Sequence, residues 1–232
     1  KNRNKLLAEM TDDIAALVLK DNYQQTQALS LLENSAADLL PDHIEFMRSL
    51  EKAGLLNRKV EFLPDDEELE QRLRDHKGLT RPELCLLVSY GKLTYTNALL
   101  ASNLPDDPAM VDWLVSYFPQ RLQKKYRKEI ENHQLRREII SMAISNAVVN
   151  RLGPTFVRRM MDRTGADVAT ITNAYLIVRD SFGLRDTWDQ IEALDNKVPA
   201  MLQIKAMQKT AKLAERETYW ILTRLGHEAH RD

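Results

Sequence analysis

The chain has 232 residues, long enough for one large core or two smaller ones without help from disulfides or metals. Its 33 Lys and Arg against 34 Asp and Glu leave a formal net charge of -1 and a pI of about 6.6, which excludes the domain-wide basic excess of a nucleic-acid-binding protein. Cys85 is the only cysteine, excluding an internal disulfide and a Cys-rich zinc site, and no apolar run approaches the roughly twenty residues that span a bilayer.

Glycine and proline are few and fall between apolar-periodic segments, so they punctuate helices. TDDIAALVLKDNY places Ile14, Leu17 and Val18 on one face, with Thr11 or Asp12 as N-cap, and a second helix covers Gln24 to Ala37. PDHIEFMRSLEKAG predicts a helix from about Asp42 to Gly54, the residue best able to take a left-handed C-terminal conformation. The next helix starts near Pro64-Asp65-Asp66, where acidic residues suit the positive end of the dipole, and Gly78 closes it. Thr80 followed by Glu83 is a capping-box spacing with Pro82 in the first turn, so a long helix opens there.

LPDDPAMVDWLVSYFPQ reads as a short helix bracketed by Pro105, Pro108 and Pro119, and marks the joint between two lobes, 1–104 and 105–232. A long helix is expected from about Gln120 to Leu152. After Gly153-Pro154 a shorter one runs to Thr164-Gly165. ADVATITNAYLIVRDSFG carries Val168, Ile171, Tyr175 and Val178 at helical spacing, from Asp167 to Gly183. A helix through Trp188 and Ile191 follows, and a last one runs from about Pro199 to Arg224. No alternating run demands a strand, so the fold class is all-α, an irregular multi-helix array of about ten helices in two packed lobes.

Chemistry is sparse. In ENHQLRREIISMAISNAVVNRLGPTF, Leu135, Ile139, Met142, Asn146 and Asn150 share one helical face. An uncompensated buried amide costs about 1–3 kcal/mol, so both asparagines are expected to bond to adjacent helices or ordered water and thereby fix register; a ligand pocket is the alternative. His133, Arg136 and Arg137 lie at the start of that face. His133 has a cation beside it and no acid to orient it, which makes it a poor general base, whereas Arg137 suits a fork onto a carboxylate of another segment. The cluster reads as a helix–helix or subunit contact, the competing reading being a pocket formed by His133, Arg137, Asn146 and Asn150. HEAH at His227–His230 is not a zinc-protease motif, because the position four after His227 is Arg231. Cys85, beside Leu84, Leu86 and Leu87, reads as an inert core thiol, and Trp113, Trp188 and Trp220 as core or interface anchors. With no glycine-rich nucleotide loop and no nucleophile elbow, no catalytic, cofactor-binding or metal-ligating residue is assigned. The basic excess from Arg121 to Arg163 and the acidic stretches Glu61–Glu70 and Asp106, Asp107, Asp112 suggest complementary patches within the fold or at a subunit contact.

Several stretches together resemble the C-terminal helical region of the large bacterial NAD-specific glutamate dehydrogenases. They are DNYQQTQALS (Asp21 to Ser30), GLTRPELCLLVSYGKL (Gly78 to Leu93), LPDDP (Leu104 to Pro108), YFPQRL (Tyr117 to Leu122), HQLRREII (His133 to Ile140), NAVVNRLGPTF (Asn146 to Phe156) and IEALDNKVPA (Ile191 to Ala200). The likeness extends from about Asn4 to Leu225; Cys85 stands where the family more often has a small residue. It implies oxidative deamination of glutamate to 2-oxoglutarate and ammonia, with NAD as hydride acceptor in the full-length enzyme and no cofactor in this fragment. The catalytic and nucleotide-binding residues would lie upstream, in keeping with an opening Lys1-Asn2-Arg3-Asn4 that lacks an initiator Met. The implied role is an accessory one: docking on the upstream catalytic domain of the same chain and building a homo-oligomer, in a reducing cytoplasm, without nucleic acid or membrane. A stand-alone helical protein-interaction module is the alternative.

Overall fold

The computed structural model describes residues 2–228, and among them every regular element is helical. α1 (Asn2–Asn34) is one helix of 33 residues, about 50 Å long at 1.5 Å per residue. Two separate helices were expected here, but neither Gly nor Pro interrupts the span. Thr11, expected as a cap, sits mid-helix with its hydroxyl donating to the Leu7 carbonyl at 3.1 Å. The C-terminal end of α1 buries Ala28 and Leu32, whereas Leu7, Ile14, Leu17 and Val18 remain exposed.

α2 (Leu40–Lys52) ends in a Schellman motif: Gly54 N–H donates to Glu51 O at 2.9 Å, Leu55 N–H to Leu50 O at 2.9 Å, and Gly54 has φ +69. α3 (Asp66–Arg74) is capped by Asp65, whose carboxylate accepts the Glu68 N–H at 2.9 Å. It does not end at Gly78. His76 takes the left-handed position at φ +51, and the N–H groups of His76 and Lys77 reach the carbonyls of Leu73 and Arg72. Gly78 serves a different purpose, since a Cβ there would lie 2.2 Å from the Ala36 carbonyl carbon. α4 (Arg81–Leu100) begins with the expected capping box, Glu83 accepting the Thr80 N–H at 2.6 Å. The same carboxylate takes Arg72 of α3 at 2.7 and 2.9 Å, tying the last turn of α3 to the first turn of α4.

Two 3₁₀ turns, Leu104–Asp106 and Pro108–Met110, lead into α5 (Val111–Tyr117). The single long helix expected from Gln120 to Leu152 is instead three: α6 (Gln120–Lys125), α7 (Arg127–Glu131) and α8 (Arg136–Leu152). The breaks are local. Asn132 Nδ2 donates back to the Lys128 carbonyl at 2.7 Å and His133 Nδ1 accepts the Leu135 N–H at 3.1 Å, so side chains compete for the bonds that would continue the helix. α9 (Phe156–Thr164), α10 (Val168–Ser181), α11 (Leu184–Glu192) and α12 (Ala200–Glu228) complete the array, with Gly165 at φ +70 and Gly183 at φ +59 in the intervening turns.

One hydrophobic cluster runs from Leu32 to Leu222. Its centre is the α4–α8 pair, where Leu84, Leu87 and Leu99 face Ile140, Ile144 and Val148, all fully buried; each such side chain contributes about 2 kcal/mol. Gly91 lets the α8–α9 turn approach α4, for a Cβ would lie 2.6 Å from Pro154 Cβ. Cys85 is not part of this core. At 100° per residue it falls on the outward face with Ser89, and it is exposed. Basic residues of the 121–163 stretch form ion pairs within the fold: Arg127 with Asp112 at 3.3 Å, Arg137 with Asp106, and Arg159 with Asp42 at 2.8 Å and Glu215 at 2.7 Å. Among the described residues no helix is long and apolar enough to cross a membrane.

Candidate functional site

A concavity of about 610 Å³ opens between α1, α5, α8, α10 and α11. That volume lies within the ordinary range of small-molecule sites. α8 supplies Asn146, Asn150 and Arg151; α10 supplies Tyr175 and Arg179, one turn apart; α11 supplies Arg185, Trp188 and Asp189; α5 brings Trp113 and Tyr117; α1 closes one side with Lys20, Asp21 and Gln24. Gly183 makes this assembly possible. Its left-handed backbone reverses the chain between α10 and α11, bringing Arg185 within 3.9 Å of Asp180.

Arg179 and Arg185 both lie over the Trp113 ring, at 4.8 and 5.5 Å from its centroid, and Arg151 lies over Trp188 at 5.1 Å. Arg179 is 5% exposed. Its Nε and Nη2 donate to the two oxygens of Asp180 at 2.7 and 2.8 Å, and the guanidinium holds that carboxyl below the usual aspartate range. Nη1 of the same guanidinium is buried and has no hydrogen-bond partner among the described residues. The same is true of the Tyr175 hydroxyl and of Asn150 Oδ1. Burial pushes Tyr175 up to about 12 against the opposing pull of Arg179, Arg151 and Arg185, so the phenol is a neutral donor at physiological pH. Arg151 is fully engaged, donating to Gln27 Oε1 at 3.0 Å and to Glu192.

The asparagines of α8 border this cavity. The buried face of the helix runs through Ile140, Ser141, Ile144, Ser145, Val148 and Val149, while Leu135 and Met142 are exposed. Asn146 and Asn150 flank that face and line the cavity; neither side-chain amide bonds to a neighbouring helix among the described residues. A side-chain bond from α8 to α4 comes from Ser145, whose Oγ donates to the Lys92 carbonyl at 3.0 Å.

His133 and Arg137 stand apart from the cavity. Arg137 forks as anticipated, onto Asp106 and onto the carbonyls of Leu100 (2.7 Å) and Ser102 (3.1 Å), thereby stapling the loop after α4. His133 packs 5.7 Å from the Phe118 ring, and the buried Arg136 Nε has no hydrogen-bond partner among the described residues. No group of three or more His, Cys, Asp or Glu able to hold a metal ion occurs among the described residues; the His227–His230 segment extends beyond them. Sequence reading did not single out Tyr175 with Arg179 as buried polar neighbours lining one cavity. The available signal was an arginine placed one turn after a tyrosine on the buried face of an apolar helix, where a charge is rare unless paired.

Residues 76–231 match the family described as glutamate dehydrogenase, C-terminal, and residues 1–32 match the one described as bacterial NAD-glutamate dehydrogenase, catalytic domain. The chain is similar to the NAD-specific glutamate dehydrogenase of Halomonas elongata, with 46% identity over 232 residues covering 100% of this chain and 14% of that protein. Against the Pseudomonas aeruginosa protein of the same name the identity is 44% over 96% of this chain and 14% of the relative. Against that of Mycobacterium tuberculosis it is 34% over 95% and 13%. The chain thus spans about one seventh of the curated relatives it matches. The expectation that the whole segment lies downstream of the catalytic domain needs correcting for its first helix, which falls within the catalytic-domain match.

Proposed function

Because this chain belongs to the NAD-specific glutamate dehydrogenase family, we propose that the protein carrying it oxidatively deaminates L-glutamate to 2-oxoglutarate and ammonia with NAD as hydride acceptor, and that this helical region is the strut and support of that enzyme. The observation that carries the reading is the double membership of α1. Residues 1–32 align with the catalytic domain, yet the same unbroken helix ends by burying Leu32 in the cluster it shares with the C-terminal helices. A helix of this length without an internal hinge transmits position from one end to the other.

The exposed part of α1 supports the same reading. Leu7, Ile14, Leu17 and Val18 fall within an arc of about 100° at 100° per residue, a core-facing stripe with nothing here to cover it. Its occupant is the rest of the catalytic domain, and chemistry resides there. In the full-length protein the double substitution Leu17→Asp with Val18→Asp should lower glutamate-dependent NAD reduction at least tenfold and open α1 to limited proteolysis, while the helical content of the C-terminal region is kept. Unchanged turnover and proteolysis would remove α1 as the junction. Glutamate turnover by residues 1–232 alone would overturn the accessory role.

A further inference from the structure

The cavity between α1, α5, α8, α10 and α11 is lined by Tyr175 and Arg179, each with a deeply buried donor that has no hydrogen-bond partner among the described residues. Arg179 has spent Nε and Nη2 on Asp180, so only Nη1 remains, and Tyr175 is 0% exposed with its hydroxyl unpartnered. A buried guanidinium or phenol N–H or O–H without an acceptor is costly, and a fold that keeps both in the wall of one cavity has an acceptor to receive there. We propose that this cavity binds the carboxylate of a small organic acid, its oxygens accepting from Arg179 Nη1 and the Tyr175 hydroxyl, with the indole and phenol rings of Trp113, Trp188 and Tyr117 alongside its carbon skeleton.

The charge balance selects a carboxylate over a phosphate. Lys20, Arg151, Arg179 and Arg185 are set against Asp21 and Asp189 in the wall and Asp180 and Glu192 at its border, so the surround is close to neutral. Lys20 lies 3.7 Å from Asp189, and Arg151 is held by Glu192, which leaves little uncommitted cation. One negative charge and two oxygens match the two idle donors. A phosphate dianion would bring more charge and more lone pairs than they can satisfy. Asn150 borders both this cavity and a smaller one of about 190 Å³, and offers a further polar group on the α8 wall. Since α1 forms one wall and α8, α10 and α11 the others, a bound acid would join the helix that enters the catalytic-domain match to the helices of the C-terminal match. The site itself does not depend on what the whole protein catalyses.

The test uses the intact protein and three probes: 3-phenylpropionate, its neutral amide 3-phenylpropanamide, and inorganic phosphate. Calorimetric titration of the parent should show a saturable site for 3-phenylpropionate, at least about tenfold weaker for the amide and for phosphate. Arg179→Gln and Tyr175→Phe should each weaken the acid about tenfold or more, and a carboxylate site elsewhere in the protein would be untouched by either. Tyr175→Phe keeps the buried ring and removes only an unpartnered hydroxyl, so its unliganded Tm should equal or exceed the parent's while the shift induced by the acid is lost. The proposal is overturned by absent saturation, by equal affinity for acid and amide, by phosphate binding with the same Arg179 dependence, by affinity unmoved in both variants, or by a crystal structure with ordered water alone bridging Arg179 and Tyr175 in the presence of the acid.

Discussion

Acid should destabilise this fold through one histidine. His43 of α2 is 0% exposed, neither ring nitrogen has a hydrogen-bond partner among the described residues, and burial pulls its pKa from 6.5 to about 4, with Asp42 opposing and Arg159 adding to the shift. Between those two values the unfolded chain binds a proton that the folded chain refuses, so stability falls as pH falls. At about 1.4 kcal/mol per pH unit, the His43 contribution present above pH 6.5 is eroded by on the order of 3 kcal/mol by the time pH reaches 4. Urea unfolding at pH values from 4 to 7.5 measures this. Carboxylates held low by their partners, such as Asp180 and Asp167, weaken the fold in the same direction over the acid range, so the comparison must be with His43→Leu. That variant deletes two buried unpartnered nitrogens; its stability at pH 7.5 should match or exceed the parent's by about 1 kcal/mol, and its loss between pH 6.5 and 4 should be smaller by about 3 kcal/mol. Parallel curves for the two proteins, or an imidazole titration of His43 near 6.5 by NMR, would refute the reasoning.

Gly78→Ala should destabilise by about 1–3 kcal/mol or more in chemical denaturation, because its Cβ would meet Ala36 backbone carbon and oxygen at 2.2 and 2.5 Å and backbone cannot swing aside. Gly165→Ala, at φ +70 with nothing within 4 Å, should cost only the left-handed penalty of about 1 kcal/mol, so a larger loss there than at Gly78 would invert the steric argument. Glu83→Gln removes the carboxylate shared by the Thr80 N–H and Arg72, whose side chain is 16% exposed; a loss of about 2–3 kcal/mol and fraying at the start of α4 in hydrogen exchange are expected. Arg137→Ala should free the loop between α4 and α5, raising amide exchange at Ser102–Asp107 and costing about 1–2 kcal/mol after allowance for its partial exposure. Unaltered exchange in that loop would show that Arg137 does not hold it.

Helix starts and stops were legible wherever the signal is local. Thr80 with Glu83, Asp167 before α10, and Gly54, Gly165 and Gly183 at turns act through hydrogen bonds and dihedral preferences confined to a few neighbouring residues. The breaks at Tyr126 and Asn132–His133 escaped notice because no Gly or Pro marks them, only side-chain bonds that a helical pattern does not forbid. The α1 error has the opposite origin: a boundary was set between the segment ending at Tyr23 and the one starting at Gln24, but the helix carries its polar residues there without interruption.

The sequence by itself settled that the chain is helical, which apolar residues face inward on α10, and, through its resemblance, the family; each of these depends on order along the chain. Only tertiary structure decided the cavity. Trp113, Asn150, Tyr175 and Arg185 come from four helices and meet because of the Gly183 reversal and the packing of α8 against α4 and α5. Whether a buried amide, phenol or guanidinium finds a partner depends on groups distant in sequence, and no periodicity encodes that. Hence the sequence places Asn146 and Asn150 on one face of α8, but only the packing of the other helices puts both at the border of the cavity.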